Sequence, residues 1–237
     1  MNVAKLNTWI VLPMVVASGI ASPLPSDAAS RTEKTVEKAA KVFEEIMVDS
    51  NSRIPRRLLE ESQGIVIIPD VLRAGFFFGG TRGTGVMVVR EPDGPWSNPA
   101  FVSLTAGSVG LQFGAKSTDI VMVFKSREAI QKFLTGSFRL GGSVSGTAGP
   151  IESSPVNSAR GFNNAPVYTY ARSSGLFGGL SLEGTELGFD NKRNSKFYGK
   201  QLSARQIFND PFITAPPVVE SLRDVLEQAE AGVLRPF

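Results

Sequence analysis

The spacing of apolar residues changes twice along this chain, and the changes divide it into three parts. From Ser30 to Asp49, Val36, Ala39, Ala40, Phe43, Ile46 and Met47 recur at intervals of three and four, which predicts one buried helical face. The opposite face carries Glu33, Lys34, Glu37, Lys38, Lys41, Glu44 and Glu45. A helix lying on a membrane would carry a more basic polar face, so the pattern predicts a helix packed on its own domain. Asn51, Ser52 and Pro55 break it. Pro55 suits the first turn of a short helix through Leu58 and Leu59.

Between Gly64 and about Tyr198 the period shortens. Ile65 to Ile68 is an apolar run ended by Pro69-Asp70. Gly75 to Gly80 and Gly85 to Arg90 flank Thr81-Arg82-Gly83-Thr84, which reads as a hairpin turn, and Pro92-Asp93-Gly94-Pro95 reads as another. Strand-like runs follow at Phe101 to Phe113 and Ile120 to Phe124. Ser126 to Leu134 is helical, with Ser126 as N-cap and Glu128 in the first turn. Phe138 to Val144, Val167 to Tyr170 and Leu176 to Leu182 complete the strands, with a surface loop from Glu152 to Pro166.

Helical spacing returns at the end. Ser203 to Phe208 makes one or two turns, and Pro216-Pro217 opens a helix through Ala229 with Val218, Leu222, Val225, Leu226 and Ala229 on one face. The expected architecture is a single α+β domain over 30–237, with a core at about 33–199 and a helical C-terminal extension at 203–231. Its β core is a bent antiparallel sheet or barrel, with helices at the N- and C-termini.

Composition narrows the chemistry. The 237 residues include no cysteine and no histidine. Thiolate metal sites, cysteine nucleophiles and histidine-based acid–base catalysis are therefore excluded. Neither a cofactor nor a metal is expected. Glu183, Glu186 and Asp190 are the nearest acid cluster for a carboxylate-dependent hydrolase, but such neighbours are usually solvated. A net charge of +3 from 25 basic and 22 acidic residues does not mark a nucleic-acid binder.

The first residues read as an export signal. Lys5 is followed by an apolar stretch from Trp9 to Ala17, then by small residues, in the order of a secretory signal peptide over 1–28. Cleavage after Ala21 or Ala28 satisfies the small-x-small rule, and the alternative is a buried N-terminal helix. The stretch is shorter than the about 20 apolar residues that a spanning helix needs. Export implies a periplasmic or secreted location.

Gly79, Gly80, Arg82 and Gly83 invite an anion-nest reading, because backbone N–H groups and a guanidinium can cradle a phosphate. The segment lacks the spacing of a phosphate loop. Glycines inside strands more often mark bulges or close backbone approach.

Read in order, the motifs resemble a known family. They are Pro55 with Leu58-Leu59, Gly64 to Pro69, Gly75-Phe76, Gly79-Gly80, Gly83 to Gly85, Trp96 to Pro99, Gly107 to Gly114, Asp119, Gly149-Pro150, Tyr168 to Tyr170 and Ser174 to Gly179. The chain is similar to the SYLF domain over about Glu33 to Gly199, in the form found in bacterial exported proteins. The resemblance implies a non-enzymatic binder of acidic phospholipid or membrane surface; eukaryotic members also bind actin. It points to Lys34, Lys38, Lys41, Arg53, Arg56 and Arg57 as the lipid-facing cations, with ordinary solvated arginines as the alternative. A second reading is an envelope structural module that recognises an envelope protein without binding lipid.

Overall fold

In a computed structural model of the chain, which describes residues 27–49, 53–75, 78–91, 94–109, 114–136, 138–139, 146–148, 167–173, 176–177 and 185–234, the run Ile65 to Ile68 lies in a strand covered on both faces. Successive side chains of a strand point to opposite sides. Ile65 and Ile67 enter one core cluster, Val66 and Ile68 another, and all four are fully buried. An unbroken apolar run, rather than alternation, is the consequence.

The elements follow in the order α1 (Asp27–Val48), α2 (Arg56–Glu60), β1 (Gly64–Gly75), β2 (Phe78–Val89), β3 (Ala100–Val109), β4 (Gly114–Phe124), α3 (Arg127–Thr135), β5 (Phe138–Arg139), β6 (Gly146–Ala148), β7 (Val167–Ser173), β8 (Leu176–Phe177), β9 (Glu186–Phe189), α4 (Asn191–Tyr198), α5 (Ala204–Asn209) and α6 (Val218–Ala231). The strands form one sheet in the order β5-β9-β3-β2-β1-β4-β7-β6, with β8 on β7. All pairs are antiparallel except β6 with β7. This is the expected α+β fold, with the sheet bent and open rather than closed into a barrel.

On one face α1, α2 and α6 cover Val86, Val88, Phe101, Val121, Val123 and Tyr170. The six apolar positions predicted for α1 are all buried. In α6 the buried residues are Val219, Leu222, Leu226 and Ala229, with Val218 and Val225 packed at the margin. On the other face α3 and α5 cover Met87, Val102, Leu104, Ile120, Met122 and Phe124 through Ile130, Phe133, Ile207 and Phe208. Each aliphatic or aromatic side chain so buried contributes about 1.5–3 kcal/mol, so both helical layers hold the sheet. The Ser126 cap forms as expected, its Oγ accepting the Ala129 N–H at 3.3 Å.

Two sequence expectations are corrected here. Pro69-Asp70 does not end β1. The strand kinks at a bulge between Ile68 and Val71, where Asp70 takes a φ of 49°, and pairing with β4 resumes at Val71. Nor do residues 81–84 form a hairpin turn. They lie inside β2, all four paired with β3 and the first two also with β1, and Gly75 pairs with Gly79, so the chain reverses earlier. Glycine is needed at 83 because a Cβ there would lie 2.7 Å from the Ile68 side chain and 2.8 Å from that of Val71. Turn-like composition is here the mark of a strand pressed against a bulge. The runs at 140–144 and 178–182, the loop at 152–166 and residues 1–26 lie outside the described residues.

Candidate functional site

The cations that the resemblance singles out fall on α1, on α2 and just before it. Most of them face a carboxylate. Lys38 Nζ donates to Asp70 Oδ2 at 2.6 Å, Lys41 lies 3.9 Å from Glu45, and Arg56 and Arg57 each donate to the glutamate four residues on, Glu60 and Glu61, at 2.8 Å. Lys34 and Arg53 are exposed, with no ion pair among the described residues. The fold therefore does not bring the six together as one unpaired cationic patch.

Gly79, Gly80, Arg82 and Gly83 lie in the β1–β2–β3 ladders rather than in a concave turn, and Arg82 projects to the surface. Of the acid cluster, Asp190 caps α4, its Oδ1 accepting the Arg193 N–H at 2.9 Å. Glu186 pairs with Arg139 at 3.7 Å, and Glu183 lies outside the described residues. The two described acids are thus engaged in structural contacts.

Asp119 sits where α1, β1, β4 and β7 meet. Its Oδ1 accepts the Asp70 N–H at 2.9 Å. Burial raises its carboxyl pKa above the ordinary 3.8, opposed by that hydrogen bond and by Arg172 and assisted by Asp70 and Glu45. A raised folded-state pKa means that the folded chain holds this proton more tightly than the unfolded one. The stabilising contribution is complete below pH 3.8 and is lost as pH rises through the folded value. Asp119→Asn keeps an oxygen for the Asp70 N–H. It should leave stability at pH 7 unchanged or higher and flatten its acid-side pH dependence. Urea unfolding at pH 4 and pH 7 tests this; a loss above about 1 kcal/mol at pH 7 would count against it.

The site that sequence reading missed is formed by α4 and α5. Asp190 begins α4 and Gly199, in the left-handed region at φ 68°, ends it. The inner face is fixed by three contacts. Asn194 is fully buried and its Oδ1 accepts the Phe101 N–H at 2.7 Å. The Phe197 ring meets that of Phe101 edge-on at 5.2 Å. Tyr198 O–H donates to the Pro99 carbonyl at 2.6 Å, and burial pushes the Tyr198 pKa up. A reciprocal capping box between Ser203 and Gln206 starts α5.

Between the two helices lies an open cleft of about 790 Å³ lined by Asn191, Lys192, Ser195, Lys196, Gln201 and Gln206, among others. Lys192, Lys196, Lys200 and Arg205 are exposed and have no ion pair among the described residues. Lys192 and Lys196 are like charges one turn apart, and Lys192 stands at the positive end of its helix. Both placements are mildly unfavourable for the helix, and neither lysine packs in the core. The signal is legible in the chain. Residues 191–209 hold five cations and no acid, bracketed by Asp190 and Asp210, while the rest of the chain is net acidic once those five are set aside.

The cleft is open, polar and cationic, on a domain with a core layer on each face of its sheet. Comparison with known proteins gives the family. The family model described as "Ysc84: Las17-binding protein actin regulator" matches residues 105–229, and the chain belongs to that family. It is 36% identical over 213 residues to LAS seventeen-binding protein 3 of Saccharomyces cerevisiae, covering 88% of this chain and 46% of that protein. It is 35% identical over 217 residues to Protein YSC84 of the same yeast, covering 88% and 45%. With the human SH3 domain-containing YSC84-like protein 1 the identity is 31% over 214 residues, covering 87% and 60%. The chain spans about half the length of these relatives. They are binding and regulatory proteins, and the chain is not an enzyme.

The same comparisons overturn the export reading. These relatives are from yeast and human, and the family description is that of an actin regulator. The bacterial exported type, the signal peptide at 1–28, the periplasmic or secreted location and the envelope-protein partner do not stand. The physical reason is that a short apolar run behind one lysine is a weak pattern, open to other uses. Ala28, one of the two expected cleavage points, falls in the first turn of α1.

Proposed function

We propose that the chain is a non-enzymatic docking domain that attaches to acidic phospholipid surfaces, within the Las17-binding, actin-regulating role that its relatives' names describe. The observation that supports this reading most is the acid-free cationic stretch of α4 and α5, with Lys192, Lys196, Lys200 and Arg205 exposed and without ion pairs among the described residues. Near an anionic leaflet each such cation contributes about 1 kcal/mol. The cations on α1 and α2 are secondary in this reading, because Lys38, Lys41, Arg56 and Arg57 already face carboxylates. Among the described residues no helix is long and apolar enough to cross a membrane, so attachment would be from the surface.

Sedimentation with phosphatidylserine-containing vesicles tests the proposal. Replacing Lys192, Lys196 and Lys200 by glutamine should weaken binding by about 3 kcal/mol, more than a hundredfold. Raising salt should have the same effect, since exposed charges are screened beyond about 8–10 Å. Arg53, Arg56 and Arg57 replaced together should cost less than about tenfold, because two of the three are partly neutralised. Unfolding midpoints should barely move in either variant. Equal binding by the lysine variant and the parent would remove α4 and α5 as the docking face. No binding by the parent would transfer the cationic stretch to a protein partner.

A further inference from the structure

Phe212 is 89% exposed, more than any other large apolar side chain in the described residues; Leu72 at 50% and Val233 at 59% come next. Its presentation is held from both sides. The Phe212 N–H donates to Asp210 Oδ1 at 2.9 Å, and the Ile213 N–H reaches the Asp210 carbonyl at 3.3 Å. Asn98 Nδ2 donates to the Ile213 carbonyl at 2.9 Å. Phe208 before the turn and Ile213 after it are buried at 3% and 4% exposure, and Pro211 restricts the backbone between them. The turn is therefore pinned, and it holds the Phe212 backbone outside the core.

The turn follows α5 directly, so Phe212 stands beside the cationic stretch. Arg205 is seven residues earlier, five of that stretch being helical, which limits their separation to about 17 Å. In the chain it is flanked by Asn209, Asp210, Pro211 and Thr214, all exposed, and by the buried Ile213. A protein interface has an apolar, close-fitting core within roughly 800 Å² per partner, and a ring with no other exposed large apolar residue in its turn does not supply one. A fluid lipid phase needs no matching shape, and it takes aromatic rings at headgroup depth. Asp210 is the one acid within five residues of Phe212 in the chain, and one of its oxygens is already engaged by the Phe212 N–H.

We propose that Phe212 is a membrane anchor whose ring enters the boundary between headgroups and acyl chains once Lys192, Lys196, Lys200 and Arg205 have met an acidic phospholipid surface. This rests on the docking function proposed above. The experiment uses the full chain and vesicles of phosphatidylcholine with phosphatidylserine, with and without brominated acyl chains. In Phe212→Trp, emission corrected for the parent's own tryptophans should shift to the blue on binding and be quenched by the brominated chains. Phe212→Ser should bind the same vesicles about tenfold to a hundredfold more weakly, with an unchanged unfolding midpoint. If the parent binds and Phe212→Ser binds as tightly, with the corrected emission of Phe212→Trp remaining that of an indole in water, the anchor is overturned while surface docking stands. If the parent does not bind these vesicles at all, both proposals fall.

Discussion

Trp96→Ala is expected to lower the stability of the fold by about 3–5 kcal/mol, one of the two largest losses anticipated for a single substitution. Trp96 is 1% exposed, in the core cluster under α1, α2 and α6, where removing an indole leaves a void that neighbours fill only in part. The ring also supports a cation. The Arg90 guanidinium lies over it, 4.4 Å from the centroid. Arg90 in turn donates to the Ser62 carbonyl at 3.2 Å and pairs with Glu230 of α6. Alanine would remove the cation–π contact and loosen the link from the residue after β2 to α6, while Arg223 Nε would still reach the residue-96 carbonyl, now at 3.1 Å. The indole N–H finds no acceptor among the described residues, contrary to the usual expectation for a buried tryptophan, so that group adds nothing to the loss. Urea unfolding followed by far-UV circular dichroism is the measurement. A change below about 1 kcal/mol would show that the tryptophan is not a core residue.

Gly85→Ala should be comparably damaging, with a loss of at least about 3 kcal/mol or no folded protein. A Cβ at this position would lie 2.0 Å from the Ile67 carbonyl oxygen and 2.7 Å from the Ile68 Cα. Both are backbone atoms of the central strand β1, next to its bulge, so no side-chain rotation relieves the clash. Gly80 in the same strand as Gly85 is the control. Its nearest atom would be the Ala106 carbonyl oxygen at 3.7 Å, and Gly80→Ala should change stability by less than about 1 kcal/mol. Equal effects at the two positions would refute the close-approach account of Gly85.

Much of the fold is open to reading from the chain alone, for a local reason. A helical face is written at spacings of three and four, so α1 can be placed with its buried residues, and the serine cap of α3 can be named. The fully covered strand shows as the unbroken run Ile65 to Ile68. Short α4 escapes such reading because its apolar face amounts to little more than Phe197 and Tyr198; Asp190 and Gly199 are its only punctuation. β2 misleads because glycines required by a neighbouring bulge look, in one dimension, like glycines required by a turn.

What the sequence determines by itself is therefore local: which residues can share a face, where caps fall, and that 191–209 carries cations without acids. The tertiary structure decides which charges remain free. Lys38 is paired because a bulge in β1 brings Asp70 to it across 32 residues of chain, and no local pattern encodes that contact. Lys192 and Lys196 stay unpaired among the described residues because the inner face of α4 is tied to β3 by Asn194 and Phe197, leaving the lysines on the outside. Phe212 is exposed for a similar reason. Asn98, more than a hundred residues earlier, binds the carbonyl of the next residue and pulls Ile213, rather than the phenylalanine, into the core.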